Sequence, residues 1–269
     1  MSKLGLALFA LFIAGTPAQA QKFPTATEIV EKSQQAFYYP GADMRAKVTM
    51  ELITETGQKR TRVLTMLRKN DPKSKDQEYF LYFHEPGDVR RTVFLVRKYP
   101  EKDDDRWIFI PAVNMVQRVA AKDSRLSFVG SDFTYEDVSG RDLSADTHTL
   151  LREERLGNAD CYVIQSMPKS TADYTKKLRW IDKKNFLPLK EEYYDAQNEL
   201  FRVFTADKIE EVATGKGRSY PTITKRTMKN VKSGHRTEVI YTSVAYEVGL
   251  DDSIFTERSL RNPPRDLVQ

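Results

Sequence analysis

The sequence is poor in several residue types that mark common protein classes. A single cysteine among 269 residues excludes an internal disulfide scaffold, and three histidines without HExxH or His-x-x-x-His spacing argue against a zinc site. Beyond the N-terminus, no apolar run approaches the roughly 20 residues that a membrane-spanning helix needs. These shortages exclude a disulfide-rich mini-protein and a helical membrane bundle, and they favour a globular chain.

Neither sign of charge dominates the sequence. It has 43 Lys and Arg residues against 38 Asp and Glu, and the basic residues are scattered rather than gathered with aromatic residues in one motif. Nucleic acid is therefore not expected as a partner. The small positive excess is compatible with an anionic membrane surface or a lipid headgroup.

Residues 1–20 have the three parts of a secretory signal peptide. Lys3 supplies the positive charge, residues 4–14 form an apolar run too short to span a bilayer, and Ala18-Gln19-Ala20 is a small-x-small cleavage site. No cysteine stands near the expected mature N-terminus at Gln21, which argues against a lipid anchor. We therefore expect a soluble protein outside the cytoplasm that makes only peripheral or transient membrane contact.

A change in apolar period indicates one helix followed by many strands. Thr25 and Glu28 have capping-box spacing, and Pro40-Gly41 ends the helical pattern. From residue 44 onward apolar and polar residues alternate, and about ten or eleven antiparallel strands follow with connections too short for repeated crossover helices. The expected fold class is mainly β (α+β), with a large curved antiparallel sheet or open barrel. We expect one domain over residues 21–269.

Residues 117–142 interrupt the alternation of apolar and polar residues that is typical of strands. Apolar and acidic residues are interleaved in this long connection, which predicts a flap with a short helix over one face of the sheet. Asp132, Glu136 and Asp137 could offer oxygen ligands to calcium, or they could cap loop amides and pair with nearby arginines. The sequence leaves both interpretations open.

No catalytic or cofactor constellation is recognisable in the sequence. Ser131 lies in Gly-Ser-Asp rather than in a Gly-x-Ser-x-Gly elbow, and His84, His148 and His235 have no spacing that favours a triad. Cys161 lies among alternating apolar residues and is expected to be a buried reduced thiol without a redox role. We therefore expect neither an enzyme nor a cofactor.

A family resemblance rests on the middle of the chain. The stretch from Trp107-Ile108-Phe109-Ile110-Pro111 through Gln117-Arg118 to Gly130-Ser131-Asp132-Phe133-Thr134-Tyr135-Glu136-Asp137 resembles the outer-membrane lipoprotein-sorting protein family. That family is similar in fold to the carrier LolA, its receptor LolB and the stress sensor RseB. The resemblance implies a curved antiparallel half-barrel in the periplasm, with helices closing its concave side around a hydrophobic cavity. It also implies an association with RND-type exporters.

The resemblance favours a periplasmic carrier or accessory protein that binds a lipid or acylated ligand and serves an inner-membrane transporter. The alternative is an RseB-like regulator that holds or releases a protein partner. Aromatic residues cluster in the first half of the mature chain, where they form either ordinary core or an apolar pocket under the flap. The cavity, placed between the first helix and the concave face of the sheet, has the candidates Ile29, Phe37, Leu81, Phe83, Phe94, Trp107, Phe109, Phe128, Phe133 and Tyr135. The candidates for a basic rim that meets a headgroup are Arg90, Arg91, Arg118 and Arg125.

Overall fold

The computed structural model describes residues 24–100, 102–170 and 172–264; the predicted signal peptide lies outside these residues. Three α-helices, five short 3-10 helices and thirteen strands make up the regular structure of these residues. The helices are α1 (Ala26–Tyr38), α2 (Tyr135–Ser139) and α3 (Glu257–Arg261). The strands are β1 (Asp43–Ile53), β2 (Lys59–Asn70), β3 (Gln77–Glu85), β4 (Val93–Lys98), β5 (Asp105–Ile110), β6 (Met115–Arg118), β7 (Asp146–Leu156), β8 (Ala159–Pro168), β9 (Lys176–Asp182), β10 (Pro188–Tyr194), β11 (Leu200–Ala213), β12 (Ser219–Asn230) and β13 (Arg236–Tyr246).

All thirteen strands belong to one curved antiparallel sheet that remains open. Its order is β6-β5-β4-β3-β2-β1-β13-β12-β11-β10-β9-β8-β7, so two meanders of consecutive strands meet where β1 pairs with β13. The predicted fold class is confirmed. Among the described residues no helix has the length and apolar character needed to cross a bilayer.

The flap, residues 119–145, joins the two free edges of the sheet. β6 and β7 follow each other along the chain but lie at opposite ends of the strand order. Phe128 of the flap packs against Phe83 of β3 and Phe94 of β4 near one edge, while α2 reaches β11 through an ion pair between Asp137 and Arg202. The flap therefore crosses the open side of the sheet, as a cover over its concave face must.

Helix α1 lies on the same face of the sheet as the flap, which we call the inner face. Thr25 and Glu28 form the predicted capping box, with the Glu28 amide donating to Thr25 Oγ1 at 3.2 Å. At the other end, the buried Arg68 of β2 donates to the carbonyls of Tyr38 and Pro40. The first bond satisfies the Tyr38 carbonyl, which the helix end leaves without an internal partner, and both bonds fasten the end of α1 to the sheet.

The opposite, outer face is covered by the C-terminal segment that contains α3. Phe255 and Leu260 pack there against strands β2 to β5. Trp107 and Phe109 share one face of β5, as predicted, but they belong to this outer cluster, because they pair with Leu95 and Val93. The prediction that these two aromatic residues lie on the concave side beside α1 is therefore wrong.

Cys161 belongs to a smaller cluster that it forms with Val163 and Trp180. It is free and fully buried, and burial raises the pKa of its thiol to about 11. The prediction of a buried thiol is confirmed.

Candidate functional site

The inner face changes character from one meander to the other. In the middle of β1 to β5 its side chains are apolar, and they pack with the flap into the largest core cluster of the described residues. The buried charged residues Arg68, Lys98 and Arg106 lie nearer the strand ends. In β9 to β12 the equivalent inward positions carry charges. These charged positions include Lys177, Arg179, Glu191, Arg202 and Arg226.

The apolar side encloses a cavity of about 30 Å³, which we call the apolar cavity. Its walls include Met50, Leu64, Met66, Leu81, Phe128 and Phe133. Three of the predicted cavity residues, Leu81, Phe128 and Phe133, therefore line it. The apolar cavity is far smaller than the roughly 300 Å³ at which ligand sites begin, so its own side chains fill most of the space.

Three further candidates form the aromatic packing behind the apolar cavity. Phe128 lies 5.2 Å from Phe94 and 6.0 Å from Phe83 between ring centroids, and Tyr135 lies 5.2 Å from Phe94. Phe83 and Phe94 are completely buried. These rings connect the flap to β3 and β4, so a displacement of the flap would open space along them.

The charged side encloses a second cavity, of about 60 Å³, which we call the charged cavity. Arg179 Nε lies 3.2 Å from Glu191 Oε1, and Arg202 Nη1 donates to Asp137 at 3.0 Å. Burial alone would raise the pKa of Glu191, but Lys177 and Arg179 hold that pKa below its usual range. Burial lowers the pKa of Lys177, with Arg179 adding to the effect. Most of this charge is therefore neutralised within the protein.

Arg226 differs from the other basic residues of the charged cavity because it has no carboxylate partner within 4 Å among the described residues. Its Nη2 donates to the Tyr241 hydroxyl at 3.1 Å, its Nε has no hydrogen-bond partner, and its guanidinium lies 5.2 Å from the Phe37 ring and 5.4 Å from the Phe133 ring. It lines both cavities. The predicted candidate Phe37 also lines the charged cavity.

A third internal space, the middle cavity of about 40 Å³, lies beneath the C-terminal end of α1. It shares Met66, Val138 and Tyr241 with the apolar cavity. On the other side it shares Ala36, Pro40 and Pro221 with a surface cleft of about 520 Å³, which we call the entrance cleft. The three spaces are thus adjacent along a path from the surface to the apolar cavity, and the side chains that they share separate one space from the next.

The acidic residues of the flap have partners within the flap or on the sheet. Asp132 Oδ2 accepts a hydrogen bond from Thr237 Oγ1 at 2.7 Å and lies 2.6 Å from His235 Nδ1. Asp137 accepts from the Thr134 amide in a capping box, and Glu136 accepts from Arg141. In the described part of the chain no group of His, Cys, Asp or Glu is arranged to hold a metal ion. The interpretation of these acids as anchors of the flap agrees with this geometry.

The remaining candidates lie apart from the cavities. Ile29 packs against Ile164 and Ile181 in a separate cluster. Arg90 and Arg91 are exposed around the β3–β4 connection, and Arg118 pairs with Asp105 near a sheet edge. Arg125 lines a polar surface cleft with Lys98, Asp104 and Arg106. The structure does not bring these four arginines together into one rim.

Sequence reasoning missed the charged residues of the inner face. Arg202 and Phe204, like Glu191 and Tyr193, are two positions apart and therefore point to the same side of their strand. Charged residues in a strand are ordinarily assigned to the solvent side. The usable signal was the alternation of charged residues with tyrosine and phenylalanine on one strand face.

Comparisons with known proteins agree with this architecture. A family model described as "Uncharacterized protein" matches residues 75–262, and no protein of curated function matches the chain. The crystal structure of a DUF1329 family protein from Desulfovibrio piger is 26% identical, with a TM-score of 0.79 over 87% of this chain and 97% of that one. A domain assigned to outer membrane lipoprotein sorting, from Vibrio parahaemolyticus, is 25% identical, with a TM-score of 0.78 over 88% and 98%. A LolA superfamily protein from Nitrosomonas europaea shares the fold at 22% identity, with a TM-score of 0.67 over 88% and 99%.

Proposed function

Because the chain belongs to the DUF1329-like family, we propose that it is a periplasmic binding protein that encloses a lipid-like ligand and serves an inner-membrane transporter. The observation that carries the proposal is the path from the entrance cleft through the middle cavity to the apolar cavity. An apolar end and an open end on one path suit a molecule with a tail and a headgroup. The similarity to the Vibrio parahaemolyticus domain assigned to lipoprotein sorting supports the same class of ligand.

The physical task of such a protein is to replace water around an apolar chain. An acyl chain of about 16 carbons in water costs roughly 12 kcal/mol, at about 0.8 kcal/mol for each methylene group. Enclosure between the flap and the sheet removes most of this cost. The ligand then crosses an aqueous compartment that would otherwise be a high barrier.

Ligand entry requires the cavities to enlarge, since each internal cavity has at most about 60 Å³. The flap is the element that can move without breaking the sheet, because its own short helix has five residues and, apart from backbone hydrogen bonds at its two ends, it meets the sheet through side chains. Val129 has a φ of 49°, which is costly for a β-branched residue, and Gly130 follows with a φ of 74°. We expect ligand uptake to displace the flap around this turn.

A reversible disulfide across the flap tests the proposal. Asp132 and Thr237 are in direct contact, so cysteines at both positions, in a Cys161→Ala background, should crosslink the flap to β13. Titration with a fluorescent fatty-acyl probe should show saturable binding by the reduced protein and little binding by the oxidised protein. Addition of a reductant should restore binding.

A matched control comes from another Asp–Thr contact, which lies in the sheet. Asp207 accepts a hydrogen bond from Thr227 Oγ1 at 2.6 Å on an exposed part of β11 and β12. Cysteines at these two positions in the same background should crosslink without effect on uptake. Equal uptake by the oxidised and reduced forms of the Asp132/Thr237 pair would contradict flap opening, and the lack of saturable binding by any reduced form would contradict the proposed function.

A further inference from the structure

The entrance cleft, unlike the three internal cavities, is already large enough for a small ligand group. Its volume of about 520 Å³ lies within the usual range for ligand sites. Tyr39 and Pro40 at the end of α1 form one wall, and Tyr220 and Pro221 of β12 form another. Arg218 and Glu247 are the charged residues of its lining.

Glu247 is a buried carboxylate whose hydrogen bonds are incomplete. Only 7% of its side chain is exposed, and its Oε1 accepts from the Tyr220 hydroxyl at 3.1 Å and from Arg218 Nη1 at a long 3.5 Å. Its Oε2 is buried and accepts no hydrogen bond from the described part of the protein. A buried carboxylate oxygen without a donor is costly, so the site favours a ligand that brings one.

The counterion that Glu247 has is loosely held. The Arg218 side chain is 71% exposed, and an exposed pair at this distance contributes little stability. A ligand cation can therefore displace Arg218 from Glu247 at small cost. The displaced guanidinium would remain beside the cleft, where it could meet a phosphate.

The chemistry of the lining selects the type of cation. Two tyrosine rings and a carboxylate in one cleft suit an organic ammonium group, which gains both an ion pair and contact with aromatic faces. The entrance cleft also adjoins the middle cavity, with which it shares Ala36, Pro40 and Pro221. A group bound at Glu247 can therefore remain joined to an acyl chain that follows the path inward.

We infer that the entrance cleft is the headgroup site of the protein and that it takes an ammonium-bearing phospholipid headgroup, with the ammonium group on Glu247 and the phosphate near Arg218. This inference rests on the proposed function and narrows its ligand class to zwitterionic amphiphiles. It also moves the headgroup site away from Arg90, Arg91, Arg118 and Arg125.

The inference is tested by measuring the affinity of the protein for two fluorescent phospholipids with identical acyl chains. One has a phosphoethanolamine headgroup and the other a phosphoglycerol headgroup, and both are presented in mixed detergent micelles. The wild-type protein should prefer the phosphoethanolamine probe. Glu247→Gln keeps the shape of the side chain but removes its charge, and it should weaken that probe by about tenfold or more while leaving the phosphoglycerol probe unchanged. Glu238→Gln on β13, where Glu238 pairs with Lys225, is the matched control and should change neither affinity.

A second variant and a soluble competitor complete the test. If Glu247→Gln lacks a cooperative thermal transition, Tyr220→Leu removes an aromatic face and should weaken the phosphoethanolamine probe in the same direction. Free phosphoethanolamine should compete only at far higher concentration than the lipid, because it lacks the tail. Equal wild-type affinity for both headgroups, or equal competition by the free compound, would overturn the headgroup assignment and leave the proposed function standing. A failure of every acyl probe to bind would overturn the proposed function itself.

Discussion

Replacement of Asp132 by alanine should release the flap without unfolding the sheet. The Asp132 carboxylate accepts from Thr237 Oγ1 and contacts His235, so it holds the middle of the flap to β13. The side chain is 8% exposed, and Thr237 is completely buried. The substitution removes both contacts and leaves the surrounding strands intact.

The expected magnitude follows from the two hydrogen bonds that the alanine cannot make. A hydrogen bond to a charged group contributes about 1.5–3 kcal/mol, so the absence of two lowers the free energy of local opening by roughly 3–6 kcal/mol. Since about 1.4 kcal/mol corresponds to a factor of ten, amide exchange in the flap should accelerate by at least about a hundredfold. Exchange in β1 and β2 should change far less, because those amides open only with the sheet.

Hydrogen exchange followed by mass spectrometry on peptides that cover residues 126–139 measures this effect. Asp207→Ala removes a comparable Asp–Thr contact from the sheet surface and should leave flap exchange at the wild-type rate. Unchanged flap exchange in Asp132→Ala would refute the anchor. Equal acceleration in all peptides would show instead that the substitution destabilises the whole protein.

Three further predictions concern stability and reactivity. Gly140→Ala should lower the free energy of unfolding by about 2–5 kcal/mol in thermal denaturation, because φ is 83° and the new Cβ would lie 2.8 Å from Tyr38 Cε2. Gly157 also has a positive φ, but no atom lies near its position, so Gly157→Ala should lower the free energy of unfolding by less. The Cys161 thiol should resist a maleimide near pH 8 in the folded protein, since its pKa is about 11, and rapid labelling before unfolding would contradict its burial. Burial alone would raise the pKa of Asp146, but Lys177 and Arg141 hold that pKa below its ordinary value of 3.8. The Asp146 carboxylate therefore stabilises the fold fully above about pH 3.8, and this stabilisation is lost as the pH falls through the lower pKa of the folded state. Wild type should therefore exceed Asp146→Asn in melting temperature by a constant margin at about pH 5–8, and the margin should shrink in more acidic buffer; a margin independent of pH would contradict the ion pair.

Strand periodicity in the sequence predicts most of the architecture. The alternation over residues 44–52 corresponds to β1, and the capping box at Thr25 marks the start of α1. β7 is not predictable in this way because it lies at a sheet edge, where both of its faces are largely exposed and apolar alternation disappears. Such a strand has no pattern that distinguishes it from a polar loop.

The candidate site was predictable only in part, because periodicity tells which residues share a face and not which face is concave. Trp107 and Phe109 do share a face, yet α3 covers that face on the outside. Phe128 and Phe133 line the apolar cavity, and their position follows from the flap to which they belong. The charged inner residues and Glu247 depend on pairings between distant strands, which no local pattern in the sequence contains.

The seam between the two meanders has a consequence for how fast the protein folds. Every other pair of neighbouring strands is consecutive in the sequence and can form as a hairpin, whereas Lys47 and Thr242 at the seam are 195 positions apart. Closing a loop of that length costs roughly 5 kcal/mol in chain entropy, and this cost arises before the contacts between β1 and β13 can stabilise the folded chain. Folding should therefore be limited by the encounter of the two chain halves, and substitutions in β1 or β13 should slow folding more than substitutions in the hairpins farther from the seam.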